Sequence, residues 1–140
     1  MKIVLSFLLL FISFFAYAED IENIELVSIY DGDTFKINIK NSNYEVFGKN
    51  IGVRIYGIDT PEIKSESQRE KQLAIKAKIL TTQLLNSGKI ILKDVKRDKY
   101  FRILATVIVV DDNGNIIDVG KTLIDNGLAK LYFGNTKEKF

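Results

Sequence analysis

Two short acidic motifs hold the clearest chemical prospects in this chain. Asp31-Gly32-Asp33-Thr34 sets two carboxylates two residues apart, and its glycine lets the backbone turn tightly enough for their oxygens to converge. Asp59-Thr60-Pro61-Glu62 adds two more across a proline-fixed turn. Four acids at two sharp turns repel one another without a cation, and an oxygen-only cluster suits Ca²⁺. Both motifs are equally good turn and capping sequences, so each alone reads as a plain turn. Arg54 lies five residues before Asp59, an odd offset that puts the two on opposite faces of a regular strand. They share a site only if the chain bends between them, and Gly57 is the place for it. Arg102 follows Tyr100-Phe101 at the start of an apolar run, where a lone arginine would serve as a salt-bridge partner. Two arginines beside a carboxylate cluster suit phosphate, because guanidinium forks match its oxygens bidentately.

Composition narrows the chemistry further. The chain has no Cys and no His. That excludes disulfide scaffolds, thiol nucleophiles, zinc fingers and Ser-His-Asp catalysis. Catalysis must rest on carboxylates, Arg, Lys, Tyr or hydroxyls, and any metal must be a hard one. The 140 residues allow one domain, and a hydrophobic fraction of 46% is enough for a core.

Residues 1–18 read as a signal peptide: Lys2, an apolar run from Ile3 to Phe15 broken by two serines, then Ala16-Tyr17-Ala18 before Glu19-Asp20. Cleavage after Ala18 leaves residues 19–140 as the domain; the other reading is an uncleaved membrane anchor. Either way the expected location is secreted, periplasmic or at the cell envelope. Charge is segregated beyond it. Residues 19–62 hold 9 acidic and 4 basic residues, and residues 63–102 hold 11 basic and 4 acidic. This suits a cation site beside a polyanion groove, or ordinary solvated charge.

The elements that must carry these residues follow from pattern. Residues 24–30, 34–40, 52–58, 89–95 and 104–110 are β-rich runs. Ser67 and Glu70 form a capping-box pair before Leu73, Ala77, Leu80 and Leu84 at helical spacing, with Gly88 as the stop. Asp118 caps a short helix ended by Gly127. Residues 41–50 read as a polar loop. The order β-β-β-α-β-β-α predicts an α+β domain, a closed five-stranded OB-fold β-barrel with two or three packed α-helices.

Asp31-Gly32-Asp33-Thr34, Arg54, Ile58-Asp59-Thr60-Pro61-Glu62, Asp98-Lys99-Tyr100-Phe101-Arg102 and Asn126-Gly127-Leu128-Ala129, in this order, resemble the staphylococcal nuclease (thermonuclease) family over about residues 24–134. The resemblance implies a secreted Ca²⁺-dependent endonuclease that hydrolyses DNA and RNA, single strands preferred, with little sequence specificity and 3′-phosphate ends. It implies Asp33, Asp59 and the Thr60 carbonyl as metal ligands, with Asp31 behind them. Glu62 would hold or activate water, Arg54 and Arg102 would bind the scissile phosphate, and Lys99, Tyr100 and Tyr132 would contact the nucleotide. No stable protein partner is implied, and a membrane enters only through an uncleaved leader. Four departures from the prototype stand out, one of them a shorter loop between Glu62 and the helix. Residues 41–50 lengthen the segment before Arg54, Phe101 replaces a Gly, and residues 134–140 could at most begin the prototype's C-terminal helix. The competing readings are a non-catalytic OB-fold module that binds nucleic acid and a cell-envelope interaction domain.

Overall fold

The computed structural model describes residues 19–40, 47–134, 136–137 and 139–140. The expected leader, residues 1–18, and residues 41–46 of the expected loop lie outside the described residues. Ten elements follow one another: β1 (Ile24–Ile29), β2 (Thr34–Ile39), β3 (Ile51–Ile55), β4 (Ile58–Asp59), α1 (Gln68–Leu85), β5 (Gly88–Arg97), β6 (Ile103–Asp111), β7 (Ile116–Asp118), α2 (Val119–Asp125) and β8 (Lys130–Leu131). The fold is α+β, with two helices on a mixed six-stranded sheet. Five strands run in the order β1-β2-β3-β6-β5; β7 pairs with β6, and β4 with β8 apart from the sheet. All these pairings are antiparallel except β3 with β6.

The expected closed barrel is corrected here. Among the described residues the two sheet edges are joined by one bridge, in which Ile21 and Leu92 exchange backbone hydrogen bonds of 3.0 and 2.9 Å. The register shifts between Leu26 and Ser28 in β1 and between Lys93 and Lys96 in β5, as it does at bulges, which raise the local twist. One bridge closes the gap without forming a ladder.

Alternation builds the core. Phe35 and Ile37 of β2, Val53 and Ile55 of β3, Leu92 of β5, and Ala105, Val107 and Val109 of β6 point inward and are fully buried. Val119 and Leu123 of α2 close one side.

The α1 face differs from expectation. Its buried residues are Ala74, Ala77, Thr81 and Leu85, while Leu73, Leu80 and Leu84 pack at the margin. Small side chains are needed because the Asp31–Asp33 turn lies against this face. A Cβ on Gly32 would sit 2.7 Å from the Ala77 Cβ, and the Thr81 hydroxyl donates to the Gly32 carbonyl at 2.7 Å. The helix ends at Asn86, whose N–H returns to the carbonyls of Thr82 and Leu84. Gly88 is therefore not the stop. It opens β5, where a Cβ would collide with the Val110 carbonyl oxygen.

Candidate active site

The acidic motifs converge because four local devices hold them. Beyond Ile55 the chain reverses through Tyr56-Gly57, with Gly57 at φ +77. That reversal brings Asp59 back beside Arg54, as their offset required. β8 then pins β4 through the pairs Ile58–Leu131 and Asp59–Lys130, and the Tyr132 N–H donates to the Gly57 carbonyl at 2.9 Å. The first motif is fixed from within: the Asp33 N–H donates to Asp31 Oδ1 at 3.2 Å, and Thr34 Oγ1 donates to Asp33 Oδ1 at 2.8 Å. The two motifs join where the Thr60 N–H donates to Asp33 Oδ2 at 3.1 Å.

Arg54 is the hub. Its Nη1 donates to Asp33 Oδ1 at 2.7 Å, and its Nη2 donates to Asp59 Oδ1 at 3.1 Å and to the Ile58 carbonyl at 3.2 Å. Both carboxylates are nearly closed to solvent, with 3% and 9% of their side chains exposed. Burial works to lower the Arg54 pKa, but Asp33 first and then Asp59 and Asp31 outweigh it, and the pKa ends raised. Asp31 stands the other way. Burial, then repulsion from Asp33, pushes its carboxyl up to about 6.

Glu62 sits at the rim, largely exposed. Lys137 Nζ lies 3.1 Å from Glu62 Oε1 and 3.1 Å from Asp59 Oδ1, so it ties the rim carboxylate to the inner one. Burial opposes the charge on Lys137, and Glu62 and Asp59 hold its pKa above the usual value. From α1, Glu70 reaches the loop beyond Glu62. It accepts from the Glu62 N–H at 3.4 Å and from the Ser65 hydroxyl at 2.5 Å. The capping box is thereby half made. Ser67 accepts from the Glu70 N–H, but the Ser67 N–H turns to Ser65.

Arg102 comes from the β5–β6 hairpin. Asp98 Oδ2 accepts its Nε at 2.7 Å, and the side-chain stem crosses Gly52, where a Cβ would lie 3.0 Å from Arg102 Cγ. The Tyr100 ring centroid is 5.3 Å from Arg102 Cζ and 5.0 Å from Lys99 Nζ. The Phe101 ring lies over Arg97 instead, at 5.5 Å.

Two adjoining clefts use these residues. One, of about 460 Å³, is lined by Asp31, Asp33, Asp59, Thr60 and Glu62. The other, of about 610 Å³, is lined by Lys99, Tyr100, Tyr132 and Phe133. Arg54, Arg102 and Lys137 line both. All ten residues singled out from sequence therefore border one of two neighbouring clefts. Sequence reasoning quoted Thr34 and Asp98 only as motif members without a role, and missed Thr81 and Lys137. Only Asp98, four residues before Arg102 in a turn, carried a local signal.

The acidic cleft offers hard oxygen donors from Asp31, Asp33, Asp59 and Glu62. That chemistry fits a hard divalent cation. Among the described residues no three carboxylates converge as a ligand group; Arg54 and Lys137 occupy the acceptor positions between them.

Residues 52–140 match the family model described as staphylococcal nuclease homologue. The chain is 37% identical over 121 residues to Endonuclease YncB of Bacillus subtilis, covering 82% of this chain and 52% of that protein. It is 34% identical over 125 residues to SPbeta prophage-derived endonuclease YokF of the same organism, covering 85% and 38%. It is 30% identical over 135 residues to the uncharacterized protein MJ1439 of Methanocaldococcus jannaschii, covering 82% and 61%. The chain thus spans about half the length of these relatives. The match over residues 52–140 takes in Arg54, Asp59, Glu62 and Arg102, and on it the chain belongs to the staphylococcal nuclease homologue family.

Proposed function

We propose that this chain is a Ca²⁺-dependent endonuclease that hydrolyses phosphodiester bonds of DNA and RNA with little sequence specificity, leaves 3′-phosphate ends and acts outside the cytoplasm. One observation carries the reading. Arg54 bridges Asp33 and Asp59 at the junction of an acidic cleft and a basic aromatic one, with Arg102 lining both. Family membership and two relatives named as endonucleases support it. The leader-like residues 1–18 support export.

Asp33, Asp59 and the Thr60 carbonyl would hold the cation, with Asp31 behind them. What Ca²⁺ supplies when bound is polarisation of a phosphoryl oxygen and neutralisation of its charge. Arg102, held through Nε by Asp98, presents the rest of its fork to a phosphate in the cleft. Arg54 holds Asp33 and Asp59 in place and adds positive charge where negative charge develops. Glu62 orients or deprotonates water at the rim, a contribution of roughly 10²–10⁴-fold. Lys99, Tyr100 and Tyr132 hold the nucleotide through charge and ring contact, which tolerates any base.

A second reading has one observation in its favour. Lys137 engages Glu62, and a rim carboxylate held by an ammonium suits a binding module better than a base. Cleavage of single-stranded DNA by the full chain, with Ca²⁺ or with EDTA at matched ionic strength, decides between them. Ca²⁺-dependent cleavage with 3′-phosphate ends is the expected result. Nucleotide binding without cleavage would overturn the enzymatic reading. Glu62→Gln should slow cleavage by roughly 10²–10⁴-fold and leave nucleotide affinity intact.

A further inference from the structure

The tip of the β5–β6 hairpin carries a feature that the proposed hydrolysis does not use. Phe101 adopts φ +62, a left-handed conformation that bulky side chains rarely take. Packing does not compensate for it, because the side chain is 79% exposed. Its neighbours impose the conformation. Asp98 Oδ1 accepts the N–H groups of Tyr100 at 2.8 Å and Arg102 at 2.9 Å, Asp98 Oδ2 takes the Arg102 Nε, and the Asp98 carbonyl accepts the Phe101 N–H at 3.3 Å. The loop is cross-braced around a ring that faces water.

Arg97 Cζ lies 5.5 Å from the centroid of that ring. The hairpin tip is basic, with Lys96, Lys99 and Arg102 within the same seven residues, Lys96 over Tyr56 and the other two over Tyr100. The one carboxylate inside the tip, Asp98, is committed to Arg102. An exposed ring on a braced, basic loop holds an unpaired base on its face and the adjoining phosphate by charge. Tyr100 and Arg102, on either side of Phe101 in the chain, line the basic cleft, whereas the Phe101 ring stands outside that lining, so a base held at the ring lies beyond the nucleotide held in the cleft.

We propose that Phe101 and Arg97 form a stacking subsite for an unpaired nucleobase, flanking the nucleotide held at Tyr100 and Arg102. The subsite rests on the nuclease reading of the clefts and deepens it. It makes substrate length matter and favours single strands, since a duplex offers no unpaired base to stack.

The test uses the full chain carrying Glu62→Gln to stop turnover, in Ca²⁺ at fixed salt. Binding is read by fluorescence anisotropy of a labelled oligothymidylate and by its competition with a nucleoside 3′,5′-bisphosphate, which is too short to reach Phe101. Phe101→Ala should weaken the oligonucleotide about tenfold and leave the bisphosphate within about twofold. Phe101→Trp should restore binding. Phe101→Gly should raise the thermal midpoint while losing the oligonucleotide, which separates lost stacking from lost folding. An abasic residue at the flanking position should erase the difference between the parent and the Phe101→Ala variant. Equal oligonucleotide affinity for parent and Phe101→Ala overturns the subsite, as does equal weakening of both probes. If the parent binds neither probe, the nuclease reading falls and the subsite with it; if it binds both and Phe101→Ala is silent, only the subsite falls.

Discussion

Thr81 has no chemistry to perform on a substrate, yet it decides how firmly the first acidic motif is held. Its hydroxyl is buried in α1 and donates to the Gly32 carbonyl between Asp31 and Asp33. Thr81→Val keeps the shape and leaves that buried carbonyl without its donor. The expected cost is about 1–3 kcal/mol, read as a lower urea midpoint at unchanged slope. Gly32→Ala should be worse, because its Cβ meets Ala77 and Thr60 side chains that have no room to retreat. Residues of this kind were not legible in the sequence. The acids and arginines were, because each sits in a short motif whose neighbours explain it. Thr81 and Gly32 are 49 positions apart, and nothing local to either one announces the other.

The β5–β6 hairpin shows what one acid does for a whole element. Asp98 gathers the N–H groups of Tyr100 and Arg102 and the Arg102 Nε. Burial alone would raise its pKa, but the Arg102 backbone and side chain and the Tyr100 N–H hold it below the ordinary 3.8. The unfolded chain therefore takes up this proton first as pH falls. The stabilisation is complete above the unfolded pKa and is lost as pH falls through the depressed folded value. Thermal midpoints followed downward from pH 5 should show this loss in the wild type, and Asp98→Asn should remove its share of the slope. The long strands of the fold were legible because alternation over five or more residues is unambiguous. β4, β7 and β8 were not, since two or three residues carry no period, although β4 and β8 together aim Asp59. Gly88 was misread for a different reason. A helix stop and a strand residue under a close carbonyl both call for glycine, and only the fold tells them apart.

At the scale of the whole molecule, the proposed cation site in the acidic cleft would link ion binding to stability. Ca²⁺ bound to the folded chain alone should raise its thermal midpoint, by an amount equivalent to about 2.7 kcal/mol at a hundredfold excess over Kd. Asp33→Ala should abolish the rise. Lys137 holds two of the same carboxylates from the other end of the chain. Removing it by Lys137→Ala should tighten Ca²⁺ binding severalfold in a calorimetric titration, since a competing positive charge is gone.

The single bridge between the sheet edges has its own consequence for how the protein breathes. Ile21 and Leu92 share two hydrogen bonds, and the neighbouring ion pairs, Lys89–Glu22 at 2.6 Å and Lys93–Asp20 at 3.3 Å, are roughly half exposed. Added salt screens those pairs and leaves buried apolar contacts alone. The Leu92 amide should then trade its hydrogen for deuterium through a small, salt-accelerated opening of the seam, while the amides of Val107 and Val109 wait for the whole sheet to come apart.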